Sequence, residues 1–226
     1  MPPNIAERSI PGLEVDSHHG GHTAHLLAYG VSDNRSPLLL ALGHQRNARL
    51  ERMDRMVLRC NELGLDVTMK DVRAHAKGAE SLGRPHLARA LVDRGHVESV
   101  QEAFDMYLAD EGEGYIPLDR LTAARAIELI HLSGGVAVIA HPKRLRVPEH
   151  LFELIDAGAD GVEIVHPTAQ AADEAAYSSI ARERGLLVTG GSDFHAPVPG
   201  RQIGIDLAAD DVRLLRDAIA RRAIYK

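Results

Sequence analysis

Short apolar runs in the second half of the chain predict buried β-strands. They cover residues 136–140, 162–165 and 186–189. Continuous apolar runs of this length are typical of strands that are covered on both faces, as in parallel sheets. Helical patterns alternate with these runs, and they cover residues 149–157, 168–184 and 210–222. This alternation of strand and helix indicates an α/β fold with parallel strands.

Two shorter strands are predicted near the start of the chain. Residues 13–15 and 25–29 have apolar positions and are joined by a polar turn rich in glycine and histidine. A further helix over residues 122–132, stopped by Gly134 and Gly135, leads into the strand that begins at residue 136. These segments fit the same α/β scheme, but less completely than the second half of the chain.

The middle of the chain predicts helices instead of alternating elements. Ser36 and Pro37 combine a capping residue with a proline at the first helical position. Ser99 and Glu102 have the spacing of a capping box that opens another helix. Cys60, on the first of these helices, is expected to be a small buried apolar residue. We therefore expect a helical insertion, which divides the chain into residues 1–36, 37–112 and 113–226.

Composition limits the possible functions. The net charge is −6, which argues against a broad basic surface for duplex DNA but allows a small basic pocket for phosphate. With no tryptophan and 4% aromatic residues, the core must be built from aliphatic side chains. One cysteine excludes an intramolecular disulfide. No secretory signal or membrane-spanning stretch is visible, so we expect a cytoplasmic protein without a membrane partner.

Ligand-type residues follow each of the three apolar runs. His141 follows the first run, His166 the second, and Asp193 and His195 the third. Because the carboxyl ends of parallel strands hold the active site in barrel-like α/β folds, these side chains are expected to converge. Histidine is also the most common metal ligand. An ordinary turn with a surface histidine is the alternative interpretation of the Asp193–His195 pair, and the two neighbouring strand ends favour a site.

The ordered set of motifs resembles one known family. The motifs cover residues 11–14, 25–30, 81–88, 134–142 and 190–195. Together they resemble the polymerase-and-histidinol-phosphatase (PHP) superfamily, in the branch of the bacterial nucleoside 3′,5′-bisphosphate phosphatases and the related 5′-to-3′ exoribonuclease. The resemblance implies a distorted (β/α)7 barrel that carries a helical insertion and holds up to three divalent metal ions.

The resemblance also implies roles for individual residues. Glu14 matches a carboxylate that bridges two metals, and His25 and His141 match histidines on one of these two. Asp193 matches a ligand of the other bridged metal, and His195 a ligand of the third. Nitrogen and oxygen ligands without thiolate suit Mn²⁺, Fe²⁺ or Zn²⁺. Paired cations bind phosphate, lower the pKa of a bound water and stabilise the leaving oxygen.

Three further residues are candidates for phosphate contacts. Arg84 and His86 lie at the edge of the insertion, and an arginine can bind phosphate through two parallel hydrogen bonds. The alternative is that Arg84 begins a helix and pairs with a surface acid. His166 is expected to contact phosphate or to protonate the leaving group. The alternative is that it contacts the metal ligands and holds them in position.

Basic and histidine-rich turns leave two more alternatives open. Lys143 and Arg144 follow His141 and either attract anions or form a solvated basic turn. The histidines of the first turn resemble a metal-binding tract, but an exposed hairpin tip is the favoured interpretation. They are His18, His19 and His22.

The segment that opens the family pattern is not found in this sequence. In the family, a His-x-His pair and a second strand that ends in Asp-His precede the motif of Glu14. Here 10 residues precede Pro11, and residues 1–9 contain no histidine. We therefore expect the first two βα units of the barrel to be absent. Three explanations are open: a late start codon, a genuine fragment or pseudogene product, and a second chain that supplies the units. The first is favoured because the remaining motifs show no decay.

This absence affects the three expected metals differently. The site of Glu14, His25 and His141 keeps its ligands, whereas Asp193 and His195 lose partner ligands. The expected function is hydrolysis of phosphate monoesters of small nucleotides, such as 3′,5′-bisphosphates, or of short RNA ends. The alternatives are a non-catalytic domain that binds a metal or a nucleotide, and another PHP phosphatase such as a histidinol phosphatase. The long helical insertion argues against the last of these, and the oligomeric state is not predicted.

Overall fold

The computed structural model describes residues 9–31, 36–76, 82–194 and 203–223. The chain divides into two compact units. The first unit comprises residues 1–40 and 121–226, and the second unit comprises residues 41–120. Among the described residues, the α-helices are α1 (Pro37–Glu62), α2 (Met69–Ala74), α3 (Arg84–Asp93), α4 (Val100–Ala103), α5 (Ala123–Leu132), α6 (Glu149–Asp156), α7 (Ala171–Arg184) and α8 (Ala209–Ala223).

The first unit is built on a mixed sheet of five strands among its described residues. The strands are β1 (Gly12–His19), β2 (His22–Tyr29), β3 (Val136–Ile139), β4 (Gly161–Val165) and β5 (Leu187–Gly190), and they lie in chain order across the sheet. β1, β2 and β3 pair antiparallel, whereas β3, β4 and β5 pair parallel. The predicted α/β class and the three strands are therefore confirmed, and β3 and β4 are buried as expected, whereas only Thr189 of β5 is buried. Closure into a (β/α)7 barrel stays a prediction.

The first hairpin is longer than the sequence predicted. The two strands continue to His19 and His22, where Gly20 and Gly21 form the turn. Both glycines have positive φ, at 53° and 80°, which a two-residue turn of the type favoured in hairpins requires. The expected strand over residues 13–15 was too short because polar residues after it hide the alternation. Val15 and Ser17 are both fully buried on one face of β1.

Strand β3 of the first unit is covered on both faces. All four residues of β3 are buried. Leu215 of α8 packs against Val136 and Val138, while α5 contacts β1, β2 and β3. This two-sided covering is why the run at residues 136–140 is continuously apolar.

The second unit has its own helical core. Met53, Met56 and Leu87 are among its fully buried side chains. Cys60 is fully buried with them, as predicted, and burial raises the pKa of its thiol to about 11. The helix expected through residue 107 is a short α-helix, α4, that continues as a π-helical turn (Phe104–Leu108). None of the helices within the described ranges is long and apolar enough to cross a membrane.

Candidate metal centre

Three of the predicted metal ligands meet at one point of the first unit. Oε1 of Glu14 lies 2.6 Å from Nδ1 of His25 and 3.2 Å from Nε2 of His141. The two imidazole nitrogens are 3.3 Å apart. Glu14 and His25 come from the adjacent strands β1 and β2, and His141 follows the end of β3. The three donor atoms therefore form a small triangle.

The sheet places Glu14 and His25 on the same face. Glu14 is opposite Leu27 in the register, and His25 is two residues before Leu27 on β2. Side chains two residues apart on a strand share a face, so the two side chains are diagonal neighbours. The backbone N–H of Ala140 donates a 3.1 Å hydrogen bond to the carbonyl of His25. This bond continues the pairing of β2 with β3 up to the residue before His141.

The backbone of His141 is held in an uncommon conformation. Its φ is 27°, a region in which a non-glycine residue costs about 1–3 kcal/mol. Its N–H donates a 2.8 Å hydrogen bond to Oε2 of Glu163, which comes from the neighbouring strand β4. This bond offsets part of the backbone cost and turns the imidazole towards Glu14.

The geometry of the triangle fits a divalent metal ion. Two donor atoms held about 2.1 Å from one tetrahedral ion lie roughly 3.4 Å apart. The edges from His141 to Glu14 and to His25, at 3.2 and 3.3 Å, are close to this value. The edge from Glu14 to His25, at 2.6 Å, is a hydrogen-bond distance. One carboxylate and two imidazoles suit Zn²⁺, Mn²⁺ or Fe²⁺.

Asp193 borders the same opening. Two adjacent cavities of about 250 and 210 Å³ are both lined by Glu14 and Asp193. Oδ2 of Asp193 accepts a 3.1 Å hydrogen bond from Arg144 and lies 3.6 Å from Nε2 of His166. The Asp193 side chain is 12% exposed, so its interaction with Arg144 is only partly screened by water. Carboxylates and a cation therefore line one opening.

His166 presents a buried nitrogen without a hydrogen-bond partner. Its Nδ1 accepts a 3.1 Å hydrogen bond from the N–H of Thr168, which assigns the proton of a neutral ring to Nε2. Within the described residues, that Nε2 atom is buried and has no hydrogen-bond partner. Burial and the nearby His141 lower the pKa of His166, and Asp193 opposes this shift. A neutral ring with an unsatisfied N–H is suited to donate to an anionic ligand.

Two acidic residues of this region were missed by the sequence reasoning. Glu163 is 5% exposed, and burial raises its pKa to about 7 against the hydrogen bond from His141. A single carboxylate inside an apolar strand was the available signal. Asp16 lines the larger cavity, and its Oδ1 is 3.9 Å from Nε2 of His25. Its signal was the two-residue spacing from Glu14.

Two of the remaining predicted site residues belong to the second unit, and one is not described. In the second unit, Arg84 donates hydrogen bonds of 2.8 Å to Asp110 and 2.9 Å to the carbonyl of Leu108. Nδ1 of His86 accepts a 3.0 Å hydrogen bond from the N–H of Gly83 at the start of α3. The phosphate roles of Arg84 and His86 stay predictions. His195 lies outside the described residues.

Comparisons with known proteins place the chain among phosphoesterases. No family model matches it. It is 33% identical over 208 residues to the 3′,5′-nucleoside bisphosphate phosphatase of Chromobacterium violaceum, covering 88% of this chain and 73% of the relative. It is 28% identical over 205 residues to the 5′-3′ exoribonuclease Rnm of Escherichia coli, covering 88% and 70%. A solved structure described as a metal-dependent phosphoesterase from Bifidobacterium adolescentis aligns with a TM-score of 0.66 at 31% identity, covering 92% and 76%.

Similarity of this extent defines the class of the protein. The chain is a metal-dependent phosphoesterase and therefore a hydrolase. More narrowly, it belongs to the PHP family, which confirms the resemblance seen in its motifs.

Proposed function

We propose that this chain hydrolyses the phosphate monoester of a small nucleotide, either a 3′,5′-bisphosphate or the end of a short RNA, by a metal-activated water. The observation that carries the proposal is the triangle of Glu14, His25 and His141 at an opening that Asp193 and Arg144 also line. The first four residues supply metal-binding groups. Arg144 supplies a positive charge for phosphate. The substrates named for the relatives support the nucleotide part of the proposal.

Each metal ligand has a distinct part in this proposal. Glu14 offers one oxygen within 3.2 Å of both imidazoles and a second oxygen that is available to a neighbouring ion. His25 and His141 complete one ion's ligand set, and Asp193 and His195 are the proposed ligands of further ions. When bound there, divalent cations lower the pKa of a water and neutralise charge on the phosphoryl group.

Arg144 and His166 are the proposed phosphate-contacting residues of the first unit. The side chain of Arg144 is 45% exposed, and its guanidinium reaches the opening through a hydrogen bond to Asp193. A phosphate oxygen can share the other N–H groups of this guanidinium. The unpartnered Nε2–H of His166 is positioned to donate a hydrogen bond to a phosphate or leaving-group oxygen.

The proposal also covers the second unit, the class of substrate and the location of the protein. Arg84 and His86 are proposed as additional phosphate contacts, with residues 37–112 acting as a helical insertion. A small nucleotide or short RNA fits the net charge of −6 better than duplex DNA does. We also propose a cytoplasmic location, in which the single buried Cys60 stays a free thiol.

The test is turnover by the full chain after its metals have been exchanged. Protein stripped with chelator and reloaded with Mn²⁺, Fe²⁺ or Zn²⁺ is assayed for phosphate release from adenosine 3′,5′-bisphosphate and for mononucleotide release from a 5′-phosphorylated RNA trimer. We expect turnover of at least one substrate, and its loss in Glu14→Gln. Glu149→Gln, an exposed change outside the site, is the matched control. Stoichiometric metal binding without turnover of either substrate would instead support the non-catalytic alternative.

A further inference from the structure

A second group of potential metal ligands lies at the tip of the first hairpin. His19 ends β1, and His150 and Glu153 belong to α6. One ligand atom from each of the three residues lies within 4.8 Å of the others. None of these residues lines either cavity of the candidate metal centre. The group, here called the hairpin cluster, is therefore separate from the proposed catalytic site.

The side chains of the hairpin cluster are in direct contact. Nε2 of His19 contacts Oε2 of Glu153, although the two residues are 134 positions apart in the sequence. The rings of His19 and His150 meet edge to face, with centroids 4.8 Å apart. The ring of His22, which pairs with His19 in the hairpin, lies 5.7 Å from that of His150. His18 does not take part, because its Nδ1 lies 3.2 Å from the carbonyl of Leu121.

Helix and hairpin geometry present these groups to one another. His150 and Glu153 are three residues apart on α6, so their side chains occupy the same helical face. The turn approaches this face closely at Gly20. A Cβ atom at Gly20 would lie 2.6 Å from Nε2 of His150, and the φ of this glycine is +53°. Only glycine therefore lets the hairpin tip reach the imidazole.

His150 is the buried member of the hairpin cluster. The residue lies on α6 and is 7% exposed. Its ring contacts those of both His19 and His22. Neutral imidazole is a common metal ligand, so a ring held beside two other imidazoles and a carboxylate is suited to bind a metal ion.

We propose that the hairpin cluster is a structural site for a transition-metal dication of the Zn²⁺ class. His19, His150 and Glu153 are the protein ligands, and His22 is the nearest candidate for a fourth position. Two imidazoles and a carboxylate favour Zn²⁺ over Mg²⁺ or Ca²⁺, which prefer oxygen ligands alone. The bound ion joins the tip of the hairpin that carries Glu14 and His25 to α6. The ion thereby stabilises the position of this hairpin, and it does not take part in the reaction.

A simple ion pair is the competing explanation of these contacts. Glu153 is 55% exposed, and an exposed histidine–carboxylate pair contributes little to stability. An ion pair needs only His19 and Glu153, whereas the proposed site also uses the buried ring of His150. The two explanations therefore differ in whether the cluster binds a metal at all.

The test counts metal ions in a protein whose catalytic site is already impaired. In the Glu14→Gln background, chelator-treated full chain is titrated with Co²⁺ and followed by visible absorption, and bound Zn²⁺ is counted by mass spectrometry after gel filtration. The variants added to this background are Glu153→Gln and His19→Gln, both of which avoid the buried His150. Glu149→Gln is the matched control, because it removes the same exposed charge from the same helix.

We expect Glu14→Gln and its Glu149→Gln derivative to bind one more ion than the Glu153→Gln and His19→Gln derivatives at equal metal concentration. The affinity for that ion should fall by at least about tenfold when a ligand is removed, since even the loss of an outer partner of a ligand costs about 10–100-fold. Zn²⁺ should raise the Tm more in the proteins that retain the cluster than in those that lack one of its ligands. Equal metal counts in all four proteins would overturn the proposal. Because the readout is binding, failure of the proposed phosphoesterase activity would not affect this result.

Discussion

The carboxylate of Glu163 accepts a 2.8 Å hydrogen bond from the backbone N–H of His141. A buried residue inside one strand thereby fixes the backbone at the end of the neighbouring strand, where the imidazole turns towards Glu14. The same carboxylate approaches the end of β5, because a Cβ at Gly191 would lie 2.8 Å from Oε1 of Glu163. Glu163 therefore connects the ends of three parallel strands, and we expect it to position ligands rather than to contact the substrate.

The stability of the metal-free protein should depend on the protonation of Glu163. Burial, with the nearby charges of Glu14 and Asp193, raises its pKa from 4.5 to about 7. The folded state then holds the proton more tightly than the unfolded state, so the wild type loses stability as the pH rises from about 4.5 to about 7. Glu163→Gln keeps an oxygen acceptor for His141 and removes the charge.

In chelator-treated protein, Glu163→Gln should therefore be close to the wild type at pH 5 and more stable at pH 8. The shift sets an upper limit on the order of 3 kcal/mol for this gain. Urea denaturation at both pH values measures it, with the exposed Glu149→Gln as the control. A difference between variant and wild type that is the same at pH 5 and pH 8 would contradict the assigned role of the carboxylate.

Glu14 and Asp16 share one face of β1 but should differ in importance. Glu14 contacts both imidazoles of the triangle, whereas Asp16 lies 3.9 Å from the far nitrogen of His25. Glu14→Gln should lower kcat/KM by about a hundredfold or more, because it removes charge from a proposed metal bridge. Asp16→Asn should cost less than about tenfold. Activity measured across a Mn²⁺ titration separates the two variants, and equal losses would argue against the triangle as the metal site.

Arg144 and Lys143 provide a matched pair of cations on one turn. Arg144 faces Asp193 at the opening, while Nζ of Lys143 lies 2.5 Å from Asp173 at the start of α7. Arg144→Ala should raise KM for the phosphorylated substrate by about tenfold, the loss expected of one charge-assisted contact. Lys143→Ala should leave KM nearly unchanged. If Lys143→Ala had the larger effect, the turn would attract anions generally and Arg144 would have no special role.

Local patterns predicted the strands but not all the contacts between them. The runs that became β3 and β4 are recognisable because consecutive residues that are buried on both faces are nearly all apolar. The run that became β5 is apolar as well, although only Thr189 of this strand is buried. The meeting of Glu14 with His141 joins residues 127 positions apart, and only the family resemblance suggested it. The role of Glu163 was not predicted, because it depends on the position of the backbone N–H of His141, which follows a different strand. The contact of His19 with Glu153 depends on the helix that packs beside the hairpin tip, which no local pattern reveals.

Asp160 joins three elements of the first unit, and we expect its negative charge to contribute to the stability of the fold. Oδ2 accepts hydrogen bonds of 2.8 Å from His131 of α5 and from the N–H of Ala137 in β3. Oδ1 contacts the guanidinium of Arg222 in α8. Burial opposes ionisation of this carboxyl, yet the hydrogen bonds and the charge of Arg222 hold its pKa below the ordinary value.

Asp160→Asn should therefore reduce the free energy of unfolding at pH 7 by about 2–3 kcal/mol, because it leaves Arg222 without its charged partner. A lowered pKa means that the contribution is complete above the unfolded value of about 3.9 and is lost as the pH falls through the folded value. The difference between wild type and variant should thus shrink below about pH 4. Urea denaturation at pH 7 and pH 3 measures this, and Asp156→Asn, which removes an exposed partner of Arg184, should change stability by less than about 0.5–1 kcal/mol. A difference that persists undiminished at pH 3 would mean that shape, and not charge, makes Asp160 important.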